Sequence, residues 1–163
     1  MFLGISLCIG SLFNQTNVYA ESTTDIEQLY LQVGYKKVEE AVEEFEKLYE
    51  TKIELPTKFP FEVKFSFGRV TNHNGFPLLE LEHSNKLTGE SLIINIFPKD
   101  KAPKLKINQT FTLKDGTKAK FFESNNIQFL QFQNNKVDYL MSISKRKNAD
   151  QFKDLIEIAE SLK

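Results

Sequence analysis

The sequence predicts an α+β fold: a curved antiparallel sheet of about seven strands, with an N-terminal amphipathic helix region and a C-terminal helix packed on it. Three observations carry the prediction. Helical periodicity is confined to the two ends of the chain. Between them, apolar residues recur at every second position. The turn-forming clusters "TNHNG", "SNKLTG", "KDG" and "NNK" divide that middle region at hairpin spacing.

The first element, residues 2–20, reads "FLGISLCIGSLFNQTNVYA". Its apolar run ends at Phe13, well short of the roughly 20 residues a bilayer-spanning helix needs. It has no polar face of the kind a core helix shows. It closes on Val18, Tyr19 and Ala20, a small-x-small pattern ahead of Glu21. This is the layout of a secretory signal over residues 1–20, although no Lys or Arg precedes the apolar core. Cys8 is preceded by Leu7, and the apolar run continues past it, which argues against lipid attachment there. Cleavage after Ala20 removes the one cysteine, so the expected product has no disulfide, no reactive thiol and no transmembrane span. About 143 residues then remain, enough for one core-bearing domain.

The next elements are helical. Asp25 can start a segment in which Ile26, Leu29, Tyr30 and Val33 share a face, and Gly34 breaks it. From Tyr35 to Glu50, Val38, Ala41, Val42, Phe45, Leu48 and Tyr49 form an apolar stripe backed by glutamates. Residues 21–50 are therefore an N-terminal helical segment, forming one globular unit with an α+β domain over 51–163. Pro56 and Pro60 end the helical region.

Strands follow. Phe61, Val63, Phe65 and Phe67 alternate with polar residues, and Leu79 and Leu81 alternate with Glu80 and Glu82. "ESLIINIF" is apolar nearly throughout, as a strand covered on both faces is. "KLKINQTFTL", "TKAKFFES", "IQFLQFQ" and "VDYLMSIS" complete an antiparallel meander. The closing helix has Asn148 as a candidate cap with Gln151 three positions on. Its stripe is Phe152, Leu155, Ile156, Ala159 and Leu162.

Composition narrows the function classes. The net charge of −1 is unsuited to gripping nucleic-acid phosphates, so no nucleic-acid partner is expected. The two histidines, His73 and His83, lack metal-ligand spacing, and no phosphate loop or nucleophile elbow is present. No metal, cofactor or catalytic residue is therefore assigned. One enzymatic alternative stands: Glu80 and Glu82 share a strand face roughly 7 Å apart, a spacing that suits carboxylate-dependent hydrolysis. A second alternative is a lipid or peptide carrier. Ile93, Phe97, Phe121, Leu130 and Phe132 fall on the parity opposite to the buried residues of their strands, and they would line an apolar groove if helices cover only one sheet face.

The elements "LPTKFPFEV", "LIINIF", "LKDGTKAKFFE", "IQFLQF", "VDYLMSIS" and "DLIEIAESLK" carry a resemblance over residues 50–163. They resemble an uncharacterised extracytoplasmic domain family of Gram-positive spore-forming bacteria, found in secreted proteins, lipoproteins and anti-sigma-factor tails. The resemblance implies a secreted or envelope-associated binding or interaction module, partnered by a protein, peptide or lipid, and it carries no catalytic residues.

Overall fold

The computed structural model describes residues 23–73, 75–105, 109–125, 127–144 and 149–163. The leader segment and Cys8 lie outside these residues, as do Ile107 and Asn148. The chain runs α1 (Thr23–Gln32), β1 (Lys36–Lys37), α2 (Val38–Tyr49), β2 (Phe65–His73), β3 (Phe76–Asn85) and β4 (Glu90–Pro98). It continues through β5 (Gln109–Thr112), β6 (Lys118–Ser124), β7 (Ile127–Asn134), β8 (Val137–Ile143) and α3 (Gln151–Ala159). The fold is α+β, with one curved, unclosed antiparallel sheet.

The strand order is β1-β2-β3-β4-β8-β7-β6-β5, which corrects the expected meander. Two groups of strands, β1–β4 and β5–β8, meet through their last strands, with hairpins joining β2 to β4 and β5 to β8 in turn and α2 standing between β1 and β2. Ile94 pairs with Met141 and Ile96 with Tyr139 along that seam. β4 and β8 are the most apolar strands, so pairing them places both at the sheet centre, where each is covered on both sides.

Side chains alternate across the sheet. The inner face carries Leu79, Leu81, Leu92, Ile94, Ile96, Leu130, Val137, Tyr139, Met141 and Ile143, all buried. α2 covers it with Val38, Ala41 and Phe45, and α3 with Leu155, Ile158 and Ala159. Each large side chain withdrawn from water here contributes roughly 1.5–3 kcal/mol. The approach of α2 depends on Gly68, where a Cβ would stand 2.8 Å from both the Ala41 Cβ and a Leu81 methyl.

Two boundaries differ from the sequence expectation. Phe61 and Val63 lie before β2, which starts at Phe65. Pro56 and Pro60 offer no N–H to a ladder, and residues 51–64 instead cross the inner core. There the Tyr139 hydroxyl accepts from Glu54 N at 3.1 Å and donates to Glu54 O at 3.0 Å. Leu55 and Lys163 exchange backbone hydrogen bonds at 3.1 and 3.2 Å. The cap of α3 is Asp150, whose carboxylate accepts from Lys153 N at 3.2 Å.

α1 lies on the opposite, outer face. Gly34, at φ +86°, turns the chain, and β1 then carries it around the β2 edge to α2. The two helices thus clasp β2 from opposite sides.

Candidate functional site

The outer face is only partly covered. At one side, Tyr30 of α1 stacks on Phe67 with ring centroids 4.4 Å apart. At the other, the strap of residues 99–105 lays Ala102 and Leu105 on Leu78, Phe97, Phe122 and Leu140. The strap is tied down where Asp100 N donates to Asp138 Oδ2 at 3.0 Å and Lys99 N to Lys136 O at 3.1 Å. Burial raises the Asp138 carboxyl, and the Asp100 N–H opposes that shift.

Between the two covers lie two polar groups built from β2, β3, α1 and the chain next to them. In the first, Tyr35 donates to Glu80 Oε1, and Arg69 Nη2 donates to the same oxygen at 3.0 Å. The Arg69 guanidinium also lies 4.3 Å from the Tyr35 ring centroid. In the second, Tyr30 donates to Glu82 Oε1, which also accepts from Lys86 Nζ at 2.8 Å. Burial, then the neighbouring carboxylate, raises both phenols. Burial pulls the Lys86 ammonium down, but Glu82 and Tyr30 outweigh it and hold it raised. Glu80 and Glu82 are each engaged by one phenol and one cation, so the arrangement fastens α1, through Tyr30, and its link to β1, through Tyr35, to the sheet.

Next to Glu80 a cavity of about 340 Å³ opens between the outer face and Pro103 of the strap. Phe76, Leu78, Phe97 and Leu140 form its apolar walls. Across its floor, Glu80, Asn95 and Leu140 sit side by side on β3, β4 and β8. The side-chain oxygen of Asn95 is itself buried away from solvent, without a hydrogen-bond partner among the described residues. Glu80 takes its two hydrogen bonds on Oε1, which leaves Oε2 for other donors. A larger hollow of about 530 Å³ lies on α1 beside Ile26, Leu29, Val33 and Lys86, where Leu29 is 51% and Val33 61% exposed.

The structure divides the five residues expected to line a groove. Phe97 and Ile93 lie on the outer face, Phe97 in the cluster beneath the strap. Leu130 and Phe132 belong to the inner core, and Phe121 packs edge-on against Phe152 of the α3 side. The expected groove is therefore not one surface. In "IQFLQF" the parity is inverted: Leu130 and Phe132 point inward while Phe129 points out, because β7 must match Met141 and Tyr139 of its neighbour β8. The reading missed Asn95, hidden in the apolar run "LIINIF"; its signal was a lone amide at the non-core parity of a central strand. His73 lines the cavity, whereas His83 is buried on the inner face beside Phe59, hydrogen-bonded through Nδ1 to Ser66 Oγ at 2.9 Å.

Among the described residues, no cluster of His, Cys, Asp and Glu could hold a metal ion, and no helix is long and apolar enough to cross a membrane. No protein-family model matches the chain, and neither a curated protein nor a solved structure matches it.

Proposed function

We propose that this chain is a non-enzymatic binding module acting outside the cytoplasm, secreted or held at the envelope, whose ligand seats on the outer sheet face. The observation that carries the reading is the cavity under the strap, whose apolar walls surround the side chains of Glu80 and Asn95. An apolar hollow with a few convergent polar side chains is the usual form of a small-ligand site. The location rests on the leader-like residues 2–20 and on the family resemblance of residues 50–163. The carboxylate-hydrolase alternative is weakened because Glu80 and Glu82 are both tied to phenols and cations.

Two measurements test the reading. N-terminal sequencing of chain recovered from the envelope or medium is expected to begin at Glu21; a cytosolic product retaining Met1 overturns the location. Native mass spectrometry of the recovered chain is expected to show a bound ligand, which is lost when Asn95→Phe fills the cavity. Glycan hydrolysis abolished by Glu80→Gln with Glu82→Gln replaces the module with an enzyme.

A further inference from the structure

We propose that copies of this chain associate head to tail, the acidic stripe of α2 on one copy seated against the lysine-bearing outer face of β5–β8 on the next. The proposal goes beyond the binding-module reading and does not depend on it. It starts from an uneven distribution of charge that the net value of −1 conceals. Residues 21–98 hold fourteen Asp and Glu against eight Lys and Arg. Residues 99–147 hold four Asp and Glu against eleven Lys and Arg. The strand order puts the strands of these two stretches in opposite halves of the sheet, β1–β4 in one and β5–β8 in the other. Separated fields of opposite sign steer association with a surface of complementary charge.

The lysines gather on one side. Ala119 is buried in the inner core and Phe121 packs against Phe152, so alternation along β6 turns Lys118 and Lys120 to the outer face. Lys120 and Lys104 of the strap line one hollow. Lys99 and Lys101 also lie in the strap, and Lys136 sits in the turn whose carbonyl holds Lys99 N. All six are exposed, and none forms an ion pair with a described residue. Two acids share this side, Asp100 and Asp138, and Asp138 already accepts from Asp100 N and Gln133. The glutamates gather on the other side. Val38, Ala41 and Phe45 of α2 are buried, which leaves Glu39, Glu43, Glu46 and Glu50 as one stripe along its solvent side, at spacings of four, three and four residues. Glu46 is taken by Lys52 and the Ile53 N–H. Glu39, Glu43 and Glu50 are exposed and carry no ion pair to a described residue.

Because α2 covers the inner face, the two charged surfaces lie on opposite sides of the sheet. A two-fold pair brings the same side of both copies together, so it cannot join these lysines to these glutamates. The contact is therefore heterologous, and each copy keeps one surface open for the next. An anionic membrane would engage the lysines alone and leave the α2 stripe without a partner, whereas a second copy engages both. Exposed ion pairs are individually weak and screened by salt. The assembly accordingly forms at high protein concentration and comes apart on dilution.

The test follows the average mass of the full chain by sedimentation equilibrium as protein concentration rises, in about 0.02 M and about 0.5 M salt. At about 1 mM protein in low salt, the mass is expected to reach at least about twice that of one copy and to be still rising, and high salt is expected to return it to one copy. The variant Lys104→Gln, Lys118→Gln and Lys120→Gln loses one surface, and Glu39→Gln, Glu43→Gln and Glu50→Gln loses the other. Each alone is expected to weaken self-association by at least about tenfold, with the melting temperature unchanged because all six positions are exposed. Mixed in equal amounts, the two variants are expected to form pairs and stop there, since one brings only the stripe and the other only the lysine face. Should the lysine variant fail to fold, Lys99→Gln with Lys101→Gln takes its place. One copy at every concentration in low salt overturns the proposal. So does a mass that levels off at two copies, an association that strengthens with salt, or mixed variants that do not pair. A chain that stays single in solution but sediments with phosphatidylglycerol vesicles also overturns it, and assigns the lysine face to an anionic membrane.

Discussion

At the scale of single residues, two positions set the tolerance of the fold. Gly68 is required by proximity rather than by backbone angle: α2 sits so close to β2 that a methyl at this point meets Ala41 and Leu81 at 2.8 Å. Overpacking of this kind typically costs about 1–3 kcal/mol. Gly68→Ala is accordingly expected to lower stability by that amount in urea unfolding. His83 sets the acid limit. Burial, only partly opposed by Glu82, depresses its imidazole to about 4 from the ordinary 6.5. Because the folded state disfavours the charged ring, the stability linked to His83 is complete above pH 6.5 and is lost as pH falls toward 4. Each unit of such a shift corresponds to about 1.4 kcal/mol, so the loss is on the order of 3 kcal/mol. His83→Gln is expected to flatten this part of the stability–pH curve; an unchanged slope between pH 6.5 and 4 would assign the acid sensitivity to other groups.

At the scale of elements, α1 is the most detachable part. It touches the sheet through Tyr30, its link to β1 touches it through Tyr35, and the segment exposes Leu29, Leu31 and Val33. Tyr30→Phe combined with Tyr35→Phe keeps the ring packing and removes both hydroxyls. Amide exchange in residues 23–34 should then speed up by about tenfold or more, with the sheet unaffected, since a hydrogen bond to a charged acceptor contributes about 1.5–3 kcal/mol when buried and less at this partly buried site. The elements also show what the sequence could tell. The strands at Leu79–Glu82, in "ESLIINIF" and in "VDYLMSIS" were legible because period-two burial is local. So were α2 and α3, from their apolar stripes. The start of β2 was not: Phe61 and Val63 keep the alternation, and only tertiary contacts, with Phe61 packed against the inner core, decide that the strand begins at Phe65. The parity of β7 was hidden for a similar reason. Apolar residues occupy both faces of "IQFLQF", and only the pairing with β8 selects one. The candidate site was the least legible. It consists of neighbours brought together by strand register and by a strap, neither of which has a local signature. Glu80 was noticed, but the partners that define its role are Tyr35, Arg69 and Asn95.

At the scale of the whole molecule, the β4–β8 seam governs assembly. A chain ended after Pro98 keeps β1–β4 but leaves β4 as an edge, with Leu92, Ile94 and Ile96 deprived of most of their cover. Exposed apolar edges of this type pair with one another. Such a truncated chain is expected to elute as large assemblies in size-exclusion chromatography, and co-expression with residues 99–163 should return it to a monomer-sized complex. A truncated product that stays monomeric and folded alone would show that the first group is self-sufficient. The seam also puts a clock on biosynthesis. β4 is complete some forty residues before β8 leaves the ribosome, which at about 5–20 residues per second is an interval of seconds. During that wait the nascent chain carries an adhesive border that its own later sequence has yet to cover, and a chaperone that shields such borders is the natural companion of its synthesis.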